Sequence, residues 1–276
     1  MKKLFFKIFI LLLVCSTSNF SVAQNALSPI KKNLTNTAFP NKIQDKINPF
    51  SLRPIPKSHI AYQKSIWLQV SFHQEANLPL WYAGHQLSQF LIENALNKKI
   101  TAYKDDKLET ILSKNELLER LEKENNETHF DIKTDTIQKL IDFSELSILE
   151  IKEDYILDIQ HSRMVHDVIA FTLILPATSN RFAKKIVSFS YKEIIEKLFR
   201  PLKEDYVIID TNKSNGHIPN LETLIDARFF HGYIVKYDNF KNEYFEEQYH
   251  TKKKSIIKSM QYHEKLIEFE AFLWVY

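Results

Sequence analysis

Two histidines and a run of acids stand close together in the middle of this 276-residue chain. His161 and His166 flank Arg163, with Asp158 before them and Asp167 after. A zinc site made from such residues needs tightly spaced imidazoles and a third ligand. Spaced as these are, the two rings fall on opposite sides of a strand and only loosely together on a helix. The stretch therefore reads as a solvated turn between two strands. Just upstream, Lys152-Glu153-Asp154-Tyr155 and then Asp158 offer paired carboxylates, the groups that acid-base catalysis uses. The same run suits a charged strand edge or an interface, held by local ion pairs and kept from pairing with other chains. That reading is preferred, because no partner base is evident. Ser162 lacks the strand-turn-helix setting of an activated nucleophile. The chain has only three glycines, Gly84, Gly216 and Gly232. A phosphate-cradling loop needs several of them close together, so nucleotide chemistry is disfavoured. No catalytic, cofactor or metal residue is assigned. Lys152, Glu153, Asp154, Tyr155 and Asp158 stand as candidate partner contacts.

The elements that must position these groups follow from periodicity. Ile66, Leu68, Val70 and Phe72 alternate with Trp67, Gln69, Ser71 and His73, which predicts a half-buried strand. Leu87, Phe90, Leu91 and Ala95 share one face of a helix over about 86–97. Ile100 to Tyr103 reads as a short strand. Ser113 with Glu116 forms a capping-box pattern at the start of another helix, and Glu122 to Thr128 is a charged break. Leu149, Ile151, Tyr155, Leu157 and Ile159 keep period two, and Val168 to Leu175 is apolar enough for a strand covered on both faces. Val187, Phe189 and Tyr191 continue the strands, followed by helical spacing at Ile194, Ile195, Leu198 and Phe199. Thr211 to Asn220 reads as a loop, with Asn220 capping a short helix that carries Leu221, Leu224 and Ile225. Tyr233 and Val235 suggest a further strand. Ile256, Ile257, Met260, His263 and Ile267 mark one stripe of a closing helix. The expected fold is α+β, a mixed sheet backed by helices and preceded by an extended N-terminal arm.

That arm follows an export signal. Lys2, Lys3 and Lys7 precede an apolar run from Ile8 to Val14, and Ser21 and Ala23 offer small side chains for cleavage before Gln24. The run is far shorter than the ~20 residues of a membrane-spanning helix. Cys15 is a conceivable lipid-attachment point, but Leu12, Leu13 and Val14 before it are larger than such a site prefers. Cleavage removes this single cysteine, and with it any disulfide or thiolate chemistry. It also removes Lys2, Lys3 and Lys7, which balances the 37 basic residues against the 34 acidic ones. A nucleic-acid footprint would need a basic excess, and none remains. The expected organisation is a signal peptide over 1–23, an arm over 24–58 and one domain over 59–276. The arm is rich in Asn, Lys, Pro, Thr and Ser; it is either a disordered tether or a segment that orders on a partner. Phe, Tyr and Trp make up 13% of the chain, including Trp67, Trp81 and Trp274, and those at element ends are candidate interface anchors.

Several blocks in order carry a resemblance. Ile151-Lys152-Glu153-Asp154-Tyr155, leading to Asp158, Ser162 and Met164, resembles the signature of the GldN/PorN family. Asn77-Leu78-Pro79-Leu80 and the later Tyr103 agree with it. So do Arg228-Phe229 through Tyr233, Ile234, Lys236 and Asn239, and the closing Leu273-Trp274 with Tyr276. Tyr155 stands where the family has Trp, Ala227-Arg228 shortens an Arg-rich stretch, and Glu270-Ala271-Phe272 replaces an acid-His-acid run, so the chain looks like a divergent member. The resemblance implies a non-enzymatic periplasmic component of the type IX secretion and gliding motility machinery of Bacteroidetes-type bacteria. It implies a place at the inner face of the outer membrane, in a hetero-oligomeric ring with a GldK/PorK-like ring lipoprotein, linked to a GldM/PorM-like motor protein. The alternatives from the residues themselves are an exported enzyme using carboxylates or histidines near 153–167, or a cell-surface binding module.

Overall fold

The computed structural model describes residues 47–82, 85–122, 141–177, 183–201 and 220–273. The chain divides into units Met1–Asp45 and Lys46–Tyr276, and the described residues belong to the second. The expected signal peptide, Cys15, most of the arm, the break after Glu122, most of the loop before Asn220 and the terminal Trp274 and Tyr276 lie outside them.

Five strands form one sheet: β1 (Ile60–Ser71), β4 (Ile148–Asp158), β5 (Arg163–Leu175), β6 (Lys184–Ser190) and β7 (Gly232–Tyr237). Their spatial order is β6-β5-β4-β1-β7. The fold is α+β as expected, but the sheet is antiparallel at each pairing rather than mixed. Trp81–Tyr82 and His85–Gln86 form a separate two-stranded ribbon, β2 and β3. The helices are α1 (Leu87–Leu96), α2 (Lys114–Leu121), α3 (Tyr191–Ile194, continuing as a wide π turn over Ile195–Phe199), α4 (Leu221–Asp226), α5 (Phe245–Tyr249) and α6 (Lys252–Leu273). Ser113 and Glu116 close the capping box of α2 in both directions, and the Asn220 carboxamide accepts from Thr223 N at 2.8 Å. Ile100 to Tyr103 is not a strand; Tyr103 alone bridges to Ile111 and Ser188.

Alternation gives the sheet two unlike faces. Ile66, Leu68, Val70 and Phe72 join Leu149, Ile151, Phe171, Leu173, Val187 and Phe189 in one apolar core. Helix residues Leu87, Leu91, Ile92, Ile194, Leu224 and Leu266 belong to that same core. The other face carries Trp67, Glu150, Lys152, Asp154 and Thr172, and Phe50, Tyr103 and Leu108 cover part of it around Ala170. Residues 47–53, expected within the arm, are thus packed on the domain, with Ser51 wholly buried. Arg53 reaches α4, bonding Glu222 at 2.8 Å and Asp226 at 2.5 Å.

Helix α6 departs most from expectation. Its predicted stripe faces solvent: Ile256, Ile257, Met260 and Ile267 are 43%, 44%, 60% and 54% exposed. The packed face is instead Ser259, Tyr262, Leu266 and Phe269. The sheet meets it with aromatic rings, Tyr62 against Phe269 at 4.9 Å and Tyr237 stacked on Tyr262 at 4.6 Å. Offset ring contacts add to area burial, so the aromatic stripe packs in preference to the aliphatic one.

Asn77 closes the sheet at the β1–β7 end. Its amide donates to Ser71 O at 2.8 Å and His231 O at 2.9 Å, and its carbonyl accepts from His231 N at 2.6 Å. Nothing of it is exposed. Asn77→Ala should cost about 2 kcal/mol or more, because buried backbone groups lose their partners. Asn77→Asp should also destabilise, since a carboxylate accepts from His231 N but cannot donate. Chemical denaturation of the three proteins checks both.

Candidate functional site

The charged run lies in the middle strand of the sheet. β4 is hydrogen-bonded to β1 on one side and β5 on the other, so the strand-edge reading of Lys152 to Asp158 is overturned. Glu153, Asp154, Tyr155 and Asp158 are buried, and Lys152 is partly so. Alternation sends Glu153 and Tyr155 to the core face and Lys152 and Asp154 to the other. A central charged strand must meet its partners inside the fold: Lys152, Glu153 and Asp158 meet opposite charges or histidine, and Asp154 meets neutral donors.

On the core face, Glu153 is wholly enclosed. Arg228 Nη1 donates to both of its oxygens, at 3.1 and 2.9 Å, and His166 Nδ1 lies 3.0 Å from Oε1. Burial alone would raise this carboxyl; the hydrogen bond to His166 and the Arg228 charge outweigh it and hold the group below the usual range. Arg228 follows α4 with a left-handed backbone, φ 55°. That conformation turns the chain toward β7. Next along the strand, Tyr155 packs on His166 at 4.9 Å and bonds Glu270 of α6 at 3.2 Å; burial and Glu270 push its hydroxyl upward.

On the opposite face, Lys152 pairs with Asp106 at 3.4 Å, and Trp67 Nε1 donates to the same carboxylate at 2.9 Å. Burial would raise Asp106, but Lys152 and Trp67 prevail and lower it. Lys236 sits over the Trp67 ring at 4.4 Å, and burial pulls its ammonium below the ordinary lysine value. Glu150, almost fully buried, takes Lys185 at 2.5 Å and the Tyr244 hydroxyl at 3.0 Å. Lys185 also bonds that hydroxyl. Burial and Glu150 raise the Tyr244 hydroxyl. This group lines a cavity of about 550 Å³ beside Tyr233, Ser255 and Ser259. Sequence reading missed it, because its members are far apart in the chain and only the sheet register joins them.

Asp154 and Asp167 form a cross-strand pair of acids. Asp154 accepts from Ser65 Oγ at 2.5 Å and Gln63 Nε2 at 2.8 Å. Asp167 is pushed up to about 6 by burial, helped by the Asp154 charge. Asp158 serves the β4–β5 turn. Its carboxylate accepts from the backbone of Gln160 and His161 and lies 2.6 Å from His161 Nδ1. Those bonds outweigh burial and lower it. The turn at Ile159 to Ser162 is solvated as expected, with His161 and Arg163 mostly exposed. His161 and His166 are not brought together: one caps the turn, the other faces Glu153. Among the described residues no three His, Cys, Asp or Glu side chains are grouped as metal ligands.

A protein-family model described as "Gliding motility associated protein GldN" matches residues 55–275. No curated protein gives a significant match.

Two outcomes follow from this geometry. Arg228→Met should cost about 3 kcal/mol, because it strands a fully buried carboxylate with only His166 beside it. Glu153→Gln should cost less, since Arg228 and His166 each keep about a third of their side-chain surface in water. Equilibrium unfolding of both variants gives the ranking. Asp167 binds its proton more tightly folded than unfolded. Between about pH 4 and the folded value of about 6, stability should therefore fall as pH rises. Asp167→Asn should flatten that slope and raise the unfolding midpoint near neutral pH, measured by denaturation across pH.

Proposed function

We propose that this chain, which belongs to the GldN family of gliding motility associated proteins, is a non-enzymatic structural subunit of a type IX secretion and gliding complex. It works in the periplasm at the inner face of the outer membrane, in a ring with a GldK/PorK-like lipoprotein linked to a GldM/PorM-like motor protein. Export by the N-terminal signal brings it there, and attachment runs through partners. The observation that carries the reading is the fate of the charged run: Glu153, Asp154 and Asp158 are consumed in pairs and turns that hold the fold. Carboxylates fixed in this way serve as framework rather than as acids and bases for a substrate. The residues that carry the family resemblance play the same part. Asn77 ties β1 to β7, Arg228 neutralises Glu153, and Asn239 bonds Tyr237 O and Glu243 O at 2.8 and 2.9 Å.

A subunit of this kind presents its contacts on outward-facing side chains, with the central strand as the rigid support behind them. Purification from detergent-solubilised envelopes should recover a ring lipoprotein with this chain. Recovery of the chain alone, with the lipoprotein assembled without it, would overturn the proposal.

A further inference from the structure

Helix α6 has its charges in the order that an isolated helix disfavours. Lys252, Lys253 and Lys254 occupy its first turn, where the helix dipole favours acids, and no acidic residue lies there. Glu264, Glu268 and Glu270 all lie in the other half. Lys254 and Lys258 repeat one charge four residues apart, and Glu264 and Glu268 repeat the other, both unfavourable spacings. Among the described residues, Lys252, Lys253, Lys254, Glu264 and Glu268 have no ion-pair partner in this chain. Between these ends runs the uncovered stripe of Ile256, Met260 and Ile267, with Ile257 beside it. The spacing of Ile256, Met260 and Ile267 matches the seam of a helix pair.

A helix basic at one end, acidic at the other and apolar between is complementary to itself when reversed. We propose that α6 pairs antiparallel with α6 of a second copy of this chain. Turned about an axis midway between Met260 and Gln261, Lys253 of each copy meets Glu268 of the other, and Ile257 meets the aliphatic stem of Glu264. Lys253, set against the dipole, then faces a carboxylate, and the apolar stripe leaves water. The two-fold contact is isologous, so it joins subunits in pairs. It is independent of any other partner.

Sedimentation velocity on the full-length protein over a concentration series tests the pairing. The wild type should pass from monomer to dimer, and Met260→Glu, at an exposed position, should hold it monomeric with an unchanged circular dichroism spectrum. Lys253→Glu and Glu268→Lys should each weaken the dimer roughly tenfold, and the two together should restore it. A wild type that stays monomeric throughout would overturn the proposal. So would a dimer indifferent to Met260→Glu, or a double variant no stronger than the single ones. If Met260→Glu instead abolishes lipoprotein recovery while the wild type alone is monomeric, the stripe belongs to another partner and self-pairing is wrong.

Discussion

The fold depends on one constraint: its central strand carries charges on both faces and has no solvated edge. Glu153 is enclosed, so the arginine that neutralises it must arrive from the segment between α4 and β7. Glu150, on the other face, draws in Lys185 from β6 and Tyr244 from the start of α5. Lys152 draws in Asp106 from the loop before α2. Each pairing fixes a distant piece of chain against β4. An unpaired charge at any of these places costs several kcal/mol, which makes alternative placements expensive.

The same pairings protect register. Slipping β4 by one residue would turn Glu153 and Tyr155 toward Asp106 and Trp67, and bring Lys152 and Asp154 into the apolar core. The cross-strand partners agree with the native alternative only: Trp67 lies opposite Lys152, Ile66 opposite Glu153, and Tyr155 opposite His166. Bulges in β5 and β7 adjust the twist without disturbing this set. Close packing completes the far edge of the sheet. A Cβ on Gly232 would come within 2.9 Å of Val70 Cγ2 and 3.2 Å of Gln69 O, so β7 approaches β1 there only because the residue is glycine.

Membership of a gliding-motility family suits a molecule whose chemistry is turned inward. The family blocks coincide with clamps: Asn77 between strands, Arg228 on Glu153, Asn239 in the bend after β7. Such residues are held by the geometry of the fold. Helix α6 is the place where the surface breaks local rules, in both its charge order and its bare aliphatic stripe. Rules broken on a surface without a local gain point to a neighbour.

The sequence by itself determined the α+β class, most strands and helices, the capping box at Ser113 and the cap at Asn220, the solvated turn at His161 and the family, because these rest on short-range periodicity and on side chains bonding near neighbours. The interior place of β4 was not legible. A charged run reads the same at an edge as in a centre filled with distant counter-ions, and Arg228 lies 75 residues from Glu153. Nor was the packed face of α6, whose aliphatic and aromatic stripes share one helix. The tertiary structure decided between them, because Tyr62 and Tyr237 present rings that only the Tyr262 and Phe269 side can meet. The docking of 47–53 likewise needed α4 and the apolar cluster around Ala170 in place, since Arg53 and Phe50 find their partners only there.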